Sequence, residues 1–290
     1  MIKTLYRKAH VSADLIRLGD KYLFKKSSWS LIDLSKVKPN LIIIGSQKCG
    51  TTSLHENLNK HPDIFMSYPM KEPGYFMFDN WAQNYWKEKG ININTKKILL
   101  LKHMLKGYAG QRYFGESSTY YTQDEREVAY QIPQNIINEV GIPKLIFIIR
   151  NPLERLVSVF YHINKFNNYS GTFEDMLNID KSYLNTSLYF SRLKAYIDVF
   201  GKENIKLVFF EDLVNQPQVL MSELYSFLEL EDFIHDEFKK FNVTSPKQKV
   251  KFSKSSFQNI KEAILRDKAL LEKNFNISLT WNLTEKDWVF

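Results

Sequence analysis

The chain has 290 residues and a mass of 34.3 kDa, is 44% hydrophobic and 14% aromatic, and carries a net charge of +8 with a pI near 9.2. That composition excludes a disordered chain. The single Cys49 excludes an intrachain disulfide or a cysteine zinc cluster, and no apolar run approaches the roughly 20 residues of a membrane helix. The positive excess points to anionic ligands, while the scattered lysines exclude a basic nucleic-acid arm.

Taken in chain order, residues 1–38 alternate charged and apolar positions without the apolar core of a signal peptide. We expect a helical or coil extension there, ahead of one domain over 39–290, in a cytoplasmic protein. A strand is predicted over Asn40–Gly45, with a helix over Thr51–Lys60 that stops at His61-Pro62. A second strand, Lys144–Arg150, leads into a helix over Pro152–Lys165, where proline at the first position costs no hydrogen bond. A third strand, Ile205–Phe210, precedes a helix over Gln216–Leu230, and a last long helix is predicted over Ser255–Asn274. Two apolar runs, Ile98–Leu101 and Leu145–Ile149, are of strand length. Continuously apolar strands alternating with helices predict an α/β fold, a single domain with a central parallel sheet flanked by helices.

The turn after the first strand reads Gly45-Ser-Gln47-Lys48-Cys49-Gly50-Thr51-Thr52-Ser53. Its strand-loop-helix order is that of a phosphate-binding loop, with backbone N–H groups and a helix N-terminus facing an anion. The glycine spacing matches the nucleotide-triphosphatase pattern, but Thr51 stands where the triphosphatase lysine belongs, and Lys48 comes earlier. A lysine at 48 projects from the loop tip, towards a group being transferred. Cys49 has no partner cysteine and is given no redox role.

The second turn places Arg150 at a strand end and Ser158 two helical turns on. Arginine grips phosphate through two parallel hydrogen bonds. The alternative is an Arg150–Glu154 pair with Ser158 as an ordinary small helix residue. Two phosphate sites one βα unit apart suit a nucleotide bearing a 5′- and a 3′-phosphate.

On these residues the sequence resembles the sulfotransferases that use 3′-phosphoadenosine 5′-phosphosulfate (PAPS), particularly the heparan-sulfate and bacterial carbohydrate branches. The family's G-x-x-K-x-G-T loop is matched by Gly45, Lys48, Gly50 and Thr51. Its R-[DN]-P-x-x-R-x-x-S element is matched by Arg150, Asn151, Pro152, Arg155 and Ser158. His61-Pro62, the Glu72–Phe76 segment and Gly115-Glu116-Ser117-Ser-Thr-Tyr-Tyr121 match further pieces, with Ser117 where some relatives carry lysine.

The resemblance implies that residues 47–53, Arg150 and Ser158 bind PAPS, that Lys48 meets the leaving oxygen, and that Glu72 is the general base. It also implies that no metal is needed. His55, His61, His103 and His162 are rivals for the base. Glu116 and His162 are candidates on the acceptor side, and Lys247 and Lys249 are candidates for a loop over the 3′-phosphate. The acceptor is expected to be a hydroxyl, of a carbohydrate or another small metabolite. A loop-bearing kinase and a non-catalytic binder of anionic glycans are the alternatives, and the Lys, Asn and Ile content suggests a bacterial source.

Overall fold

The computed structural model describes residues 36–77, 97–123, 127–238, 250–251 and 253–284. Most of the expected extension over 1–38 and the candidates Lys247 and Lys249 lie outside the described residues.

Five strands form one sheet: β1 (Leu41–Gly45), β2 (Ile64–Met66), β3 (Tyr113–Glu116), β4 (Lys144–Ile149) and β5 (Ile205–Phe209). They lie in the order β2-β3-β1-β4-β5, and every pairing is parallel. The interior strands β1 and β4 are apolar along their length because helices cover both faces. The expected central parallel sheet is therefore present. The strands β2 and β3, three and four residues long, fall below the length at which alternation is readable.

The helices are α1 (Thr51–Leu58), α2 (Lys97–Met104), α3 (Glu127–Val140), α4 (Pro152–Asn167), α5 (Phe173–Ile179), α6 (Ser182–Asn185), α7 (Tyr189–Phe200), α8 (Phe210–Asn215), α9 (Pro217–Phe227) and α10 (Lys254–Phe275). The apolar run Ile98–Leu101 belongs to α2, where Leu100, Leu101 and Met104 bury one helical face. The helix expected over Gln216–Leu230 is α9, beginning at Pro217, and the short α8 that precedes it was not anticipated. Gln216, held at φ −137° by the following ring, leaves the helical region, so α8 and α9 meet at an angle.

Side-chain hydrogen bonds fix the helices on the sheet. Asn151 caps α4 by accepting from the Leu153 and Glu154 amides. Asp267 of α10 is buried and accepts from the amides of Phe190 and Ser191 at 2.9 Å each, closing the N-terminus of α7. Lys38 and Tyr75 both donate to Glu139 of α3, at 3.2 and 2.7 Å.

From β1 the chain runs outward to β2, returns through β3, and then crosses to β4 and β5. Connections therefore leave the two sides of β1 in opposite directions. In open α/β sheets that reversal opens a crevice at the carboxyl ends of the strands. Gly45, Met66, Glu116, Ile149 and Phe209 all end on that edge.

Candidate active site

The loop after β1 is held from beneath. Ser46 donates its N–H to Ile148 O at 2.8 Å, and the Cys49 N–H donates to Ser46 O at 3.2 Å. Arg155 of α4 is fully buried; its Nε donates to Gln47 O at 2.9 Å, and its Nη1 to Tyr183 O and Ser187 Oγ at 2.9 and 2.8 Å. Gly50 sits at φ 93° as the N-cap of α1, and a Cβ there would come within 2.8 Å of the Phe210 ring. Only glycine meets both demands. Because Gly50 offers no side-chain cap, the first-turn amides of α1, with the Thr51, Thr52 and Ser53 hydroxyls beside them, form an anion-facing end.

Lys48 adopts a left-handed conformation, φ 67°, which turns its side chain towards α4, and its Nζ lies 3.2 Å from His162 Nδ1. Burial pulls its pKa down to about 8, helped by Arg155 and Arg150 and opposed by Glu72. Cys49 points the other way, fully buried, its Sγ 3.7 Å from the Tyr189 hydroxyl; burial pushes the thiol pKa up. With its N–H committed to Ser46 O, Cys49 belongs to the loop's support and not to its anion-facing surface.

Arg150 leaves β4 with its guanidinium 4.5 Å above the Phe210 ring, and its Nε and Nη2 reach Glu154 Oε2 at 3.1 and 2.6 Å. The ion pair anticipated as an alternative thus forms. The Glu154 side chain is 43% exposed, so an incoming phosphate can take its place without stranding a buried carboxylate. Ser158 is buried on the same helix. Arg155, Ser158 and His162 make a polar stripe along an otherwise apolar side of α4.

Across the crevice, Lys71 donates to Glu72 Oε1 at 2.8 Å and to Thr51 Oγ1 at 3.2 Å. Thr119 Oγ1 donates to Glu72 Oε2 at 2.9 Å, and Gln123 Nε2 donates to Thr119 at 3.1 Å. Lys71 is therefore a bridge between Glu72 and the phosphate loop, not only a neighbouring surface charge.

Glu116 is completely buried at the end of β3. Its oxygens accept from the Ser118 amide at 2.8 Å and from the Tyr121 hydroxyl. It lies beneath the floor of the crevice and cannot touch an acceptor, which corrects the expectation from sequence. Burial raises its pKa to about 7 against the pull of the Ser118 and Tyr121 hydrogen bonds, and Glu72 pushes it further up.

The rival histidines separate by environment. His55 is buried against Ser117 Oγ at 2.7 Å, and burial with Lys71 nearby lowers its pKa to about 3, so it stays a neutral imidazole at working pH. His61 Nδ1 accepts from the Asp63 amide and its Nε2 meets Glu231 O, a structural pairing at the opposite end of the strands. His103 is exposed on α2. Among the histidines, His162 is the one in contact with Lys48.

Sequence reasoning named Arg155 only as part of a motif and gave Lys71 and Thr119 no role. The position of Arg155 on the stripe with Ser158 and His162 was the available signal; Thr119 meets Glu72 only through tertiary packing. Among the described residues, no three His, Cys, Asp or Glu side chains are grouped to hold a metal ion, and no helix is long and apolar enough to cross a membrane.

A parallel α/β sheet with a phosphate loop at its reversal point and a carboxylate facing it defines a nucleotide-type group-transfer enzyme. The chain belongs to the sulfotransferase domain family, whose model matches residues 38–275, and it is a sulfotransferase, an enzyme class whose donor is PAPS. A heparan sulfate glucosamine 3-O-sulfotransferase 5 from Mus musculus is 26% identical over 84% of this chain and 71% of its own length. A membrane-associated sulfotransferase, kil1, from Dictyostelium discoideum is 22% identical over 71% of this chain and 59% of its own length. A sulfotransferase crystal structure from Alicyclobacillus acidocaldarius shares the fold, with a TM-score of 0.67 and 23% identity over 84% of this chain and 98% of that one.

Proposed function

We propose that this protein moves the sulfuryl group of PAPS to a hydroxyl of a carbohydrate, with Glu72 as the base, Lys48 at the leaving oxygen, and Arg150 with Ser158 at the 3′-phosphate. The observation that carries the proposal is the Lys71 bridge, which ties Glu72 to Thr51 and so sets a carboxylate beside the phosphate loop. The glycan acceptor is supported by the similarity to heparan sulfate sulfotransferases. A cytoplasmic, bacterial setting belongs to the same proposal and is supported by composition alone.

The residues fit the donor. Burial first, and then the positive charges of Arg155 and Arg150, disfavour the Lys48 ammonium at one end of the crevice. A polyanion offsets that penalty. PAPS supplies the sulfuryl group and a nucleotide leaving group when bound.

Negative charge develops on the leaving oxygen, and the Lys48 ammonium, set at the loop tip, stabilises it. His162 Nδ1, as an acceptor, keeps one Lys48 proton oriented. Glu72, oriented by Lys71 on one oxygen and Thr119 on the other, takes the proton of the acceptor hydroxyl.

The test is transfer of radiolabelled sulfate from PAPS to desulfated heparan sulfate, with and without a chelator, beside ATP with magnesium as the competing donor. Chelator-insensitive labelling, abolished in Glu72→Gln, supports the proposal. Turnover of ATP with magnesium and none of PAPS overturns it.

A further inference from the structure

A carboxylate buried without exposure, directly behind the proposed base, costs folding free energy unless several donors converge on it. Glu116 has such donors, and each leads back to the segment that carries Glu72. Ser118 gives its amide to Glu116 Oε2 at 2.8 Å, while its hydroxyl oxygen accepts the Gly74 N–H at 2.8 Å. Tyr121 gives its hydroxyl to Glu116 Oε1, and its oxygen accepts the Phe76 N–H at 3.1 Å. The Ser117 amide, next along the chain, donates to Lys71 O at 3.0 Å.

The Glu72 segment thus hangs on β3 by Lys71 O, Gly74 N–H and Phe76 N–H. Glu116 holds the Ser118 backbone and the Tyr121 hydroxyl, and so the two residues that accept from the latter pair.

We infer that Glu116 is a positioning residue for the base: its carboxyl group fixes the Ser118 amide and the Tyr121 hydroxyl, and the hydroxyl oxygens of Ser118 and Tyr121 hold the backbone of residues 74–76 so that Glu72 faces the phosphate loop. The assignment rests on Glu72 as base, and it goes further by naming what places that base. A glutamine at 116 offers one acceptor oxygen where the carboxyl group's two oxygens take the Ser118 amide and the Tyr121 hydroxyl, so one of those two contacts is lost and the support of the segment loosens. The charged and titratable groups around Glu116 are Glu72, Tyr121 and Tyr196.

The experiment compares wild type with Glu116→Gln and Tyr121→Phe by hydrogen exchange of the peptide spanning residues 71–77, by titration with adenosine 3′,5′-bisphosphate, and by PAPS turnover with desulfated heparan sulfate. The expected result is faster exchange in that peptide for both variants, with bisphosphate affinity within about twofold of wild type. Turnover falls about 10- to 100-fold, the cost of a base displaced by about an ångström. The loss falls on kcat, with the KM for PAPS within about twofold of wild type, which a general loss of folding would not produce.

Unchanged exchange in the 71–77 peptide overturns the inference, as does faster exchange spread over the whole chain. If Glu116→Gln does not fold, Tyr121→Phe and Ser118→Ala carry the same exchange test. Glu72→Gln is measured in parallel: full turnover in that variant sinks Glu72 as base, whereas its loss with normal exchange in Glu116→Gln sinks only the role of Glu116.

Discussion

The two walls of the crevice are built differently. The donor wall, from Gly45 to Ser53 and Arg150 to Ser158, consists of two strand-loop-helix turns, each continuous in sequence and braced by the buried Arg155. The base wall is assembled from the segments after β2 and β3, joined by side chains that are distant in sequence: Thr119 to Glu72, Ser118 to Gly74, Tyr121 to Phe76. The first wall follows once its strands pair. The second depends on individual hydrogen bonds, so substitutions should separate donor binding from the chemical step.

The sharpest division is expected from Glu72→Gln, which should lower kcat by about 10²- to 10⁴-fold, the usual contribution of a positioned base, while calorimetric affinity for adenosine 3′,5′-bisphosphate stays near wild type. Lys48→Met should lower kcat by about 10²- to 10³-fold, the loss typical of one donor at a developing negative charge. It should also change the pH profile. Lysine is charged below its pKa, so wild-type kcat/KM should fall as pH rises through about 8, and that alkaline limb should vanish in Lys48→Met. Arg150→Ala belongs to the donor wall and should weaken bisphosphate binding by about 10- to 100-fold in the same titration, with little effect on kcat at saturating donor. Equal loss of binding from Glu72→Gln and Arg150→Ala would erase the distinction between the walls.

Smaller effects concern stability. Gly50→Ala forces an L-residue into a left-handed conformation against Phe210 and should destabilise the fold by about 1–3 kcal/mol in denaturant unfolding. Glu116 keeps its proton in the folded chain up to about pH 7, well above the ordinary glutamate range. A carboxyl raised in this way makes stability fall as pH rises from its unfolded value towards 7. Melting temperatures between pH 5 and 8 should therefore slope less in Glu116→Gln than in wild type.

The same contrast explains what was legible in the sequence. Lys48, Gly50, Thr51 and Arg150 sit on local patterns, an apolar strand with its glycines and a strand-end arginine followed by proline, and local patterns survive in one dimension. The base wall does not. The strands β2 and β3 are too short for a period, and the contact of Lys71 with Thr51 exists only after folding. Glu116 was legible as a residue of interest, but whether its carboxylate faced the crevice or the core was not. The start of α9 was written in Pro217, α8 with its six residues is too short to announce itself, and the run Ile98–Leu101 is too short for its period to tell helix from strand.

The strand order has a consequence for how the chain comes to exist. The strand β1 leaves the ribosome first, yet its neighbours are β3 and β4, reached at Gly115 and Lys144. Until both have been synthesised, the bare apolar run from Leu41 to Ile44 has nothing to pair with. Such delayed, non-local pairing slows folding and leaves nascent chains sticky. Newly made protein should therefore lean on chaperones most while its midsection is still being translated, well before the last helix is finished.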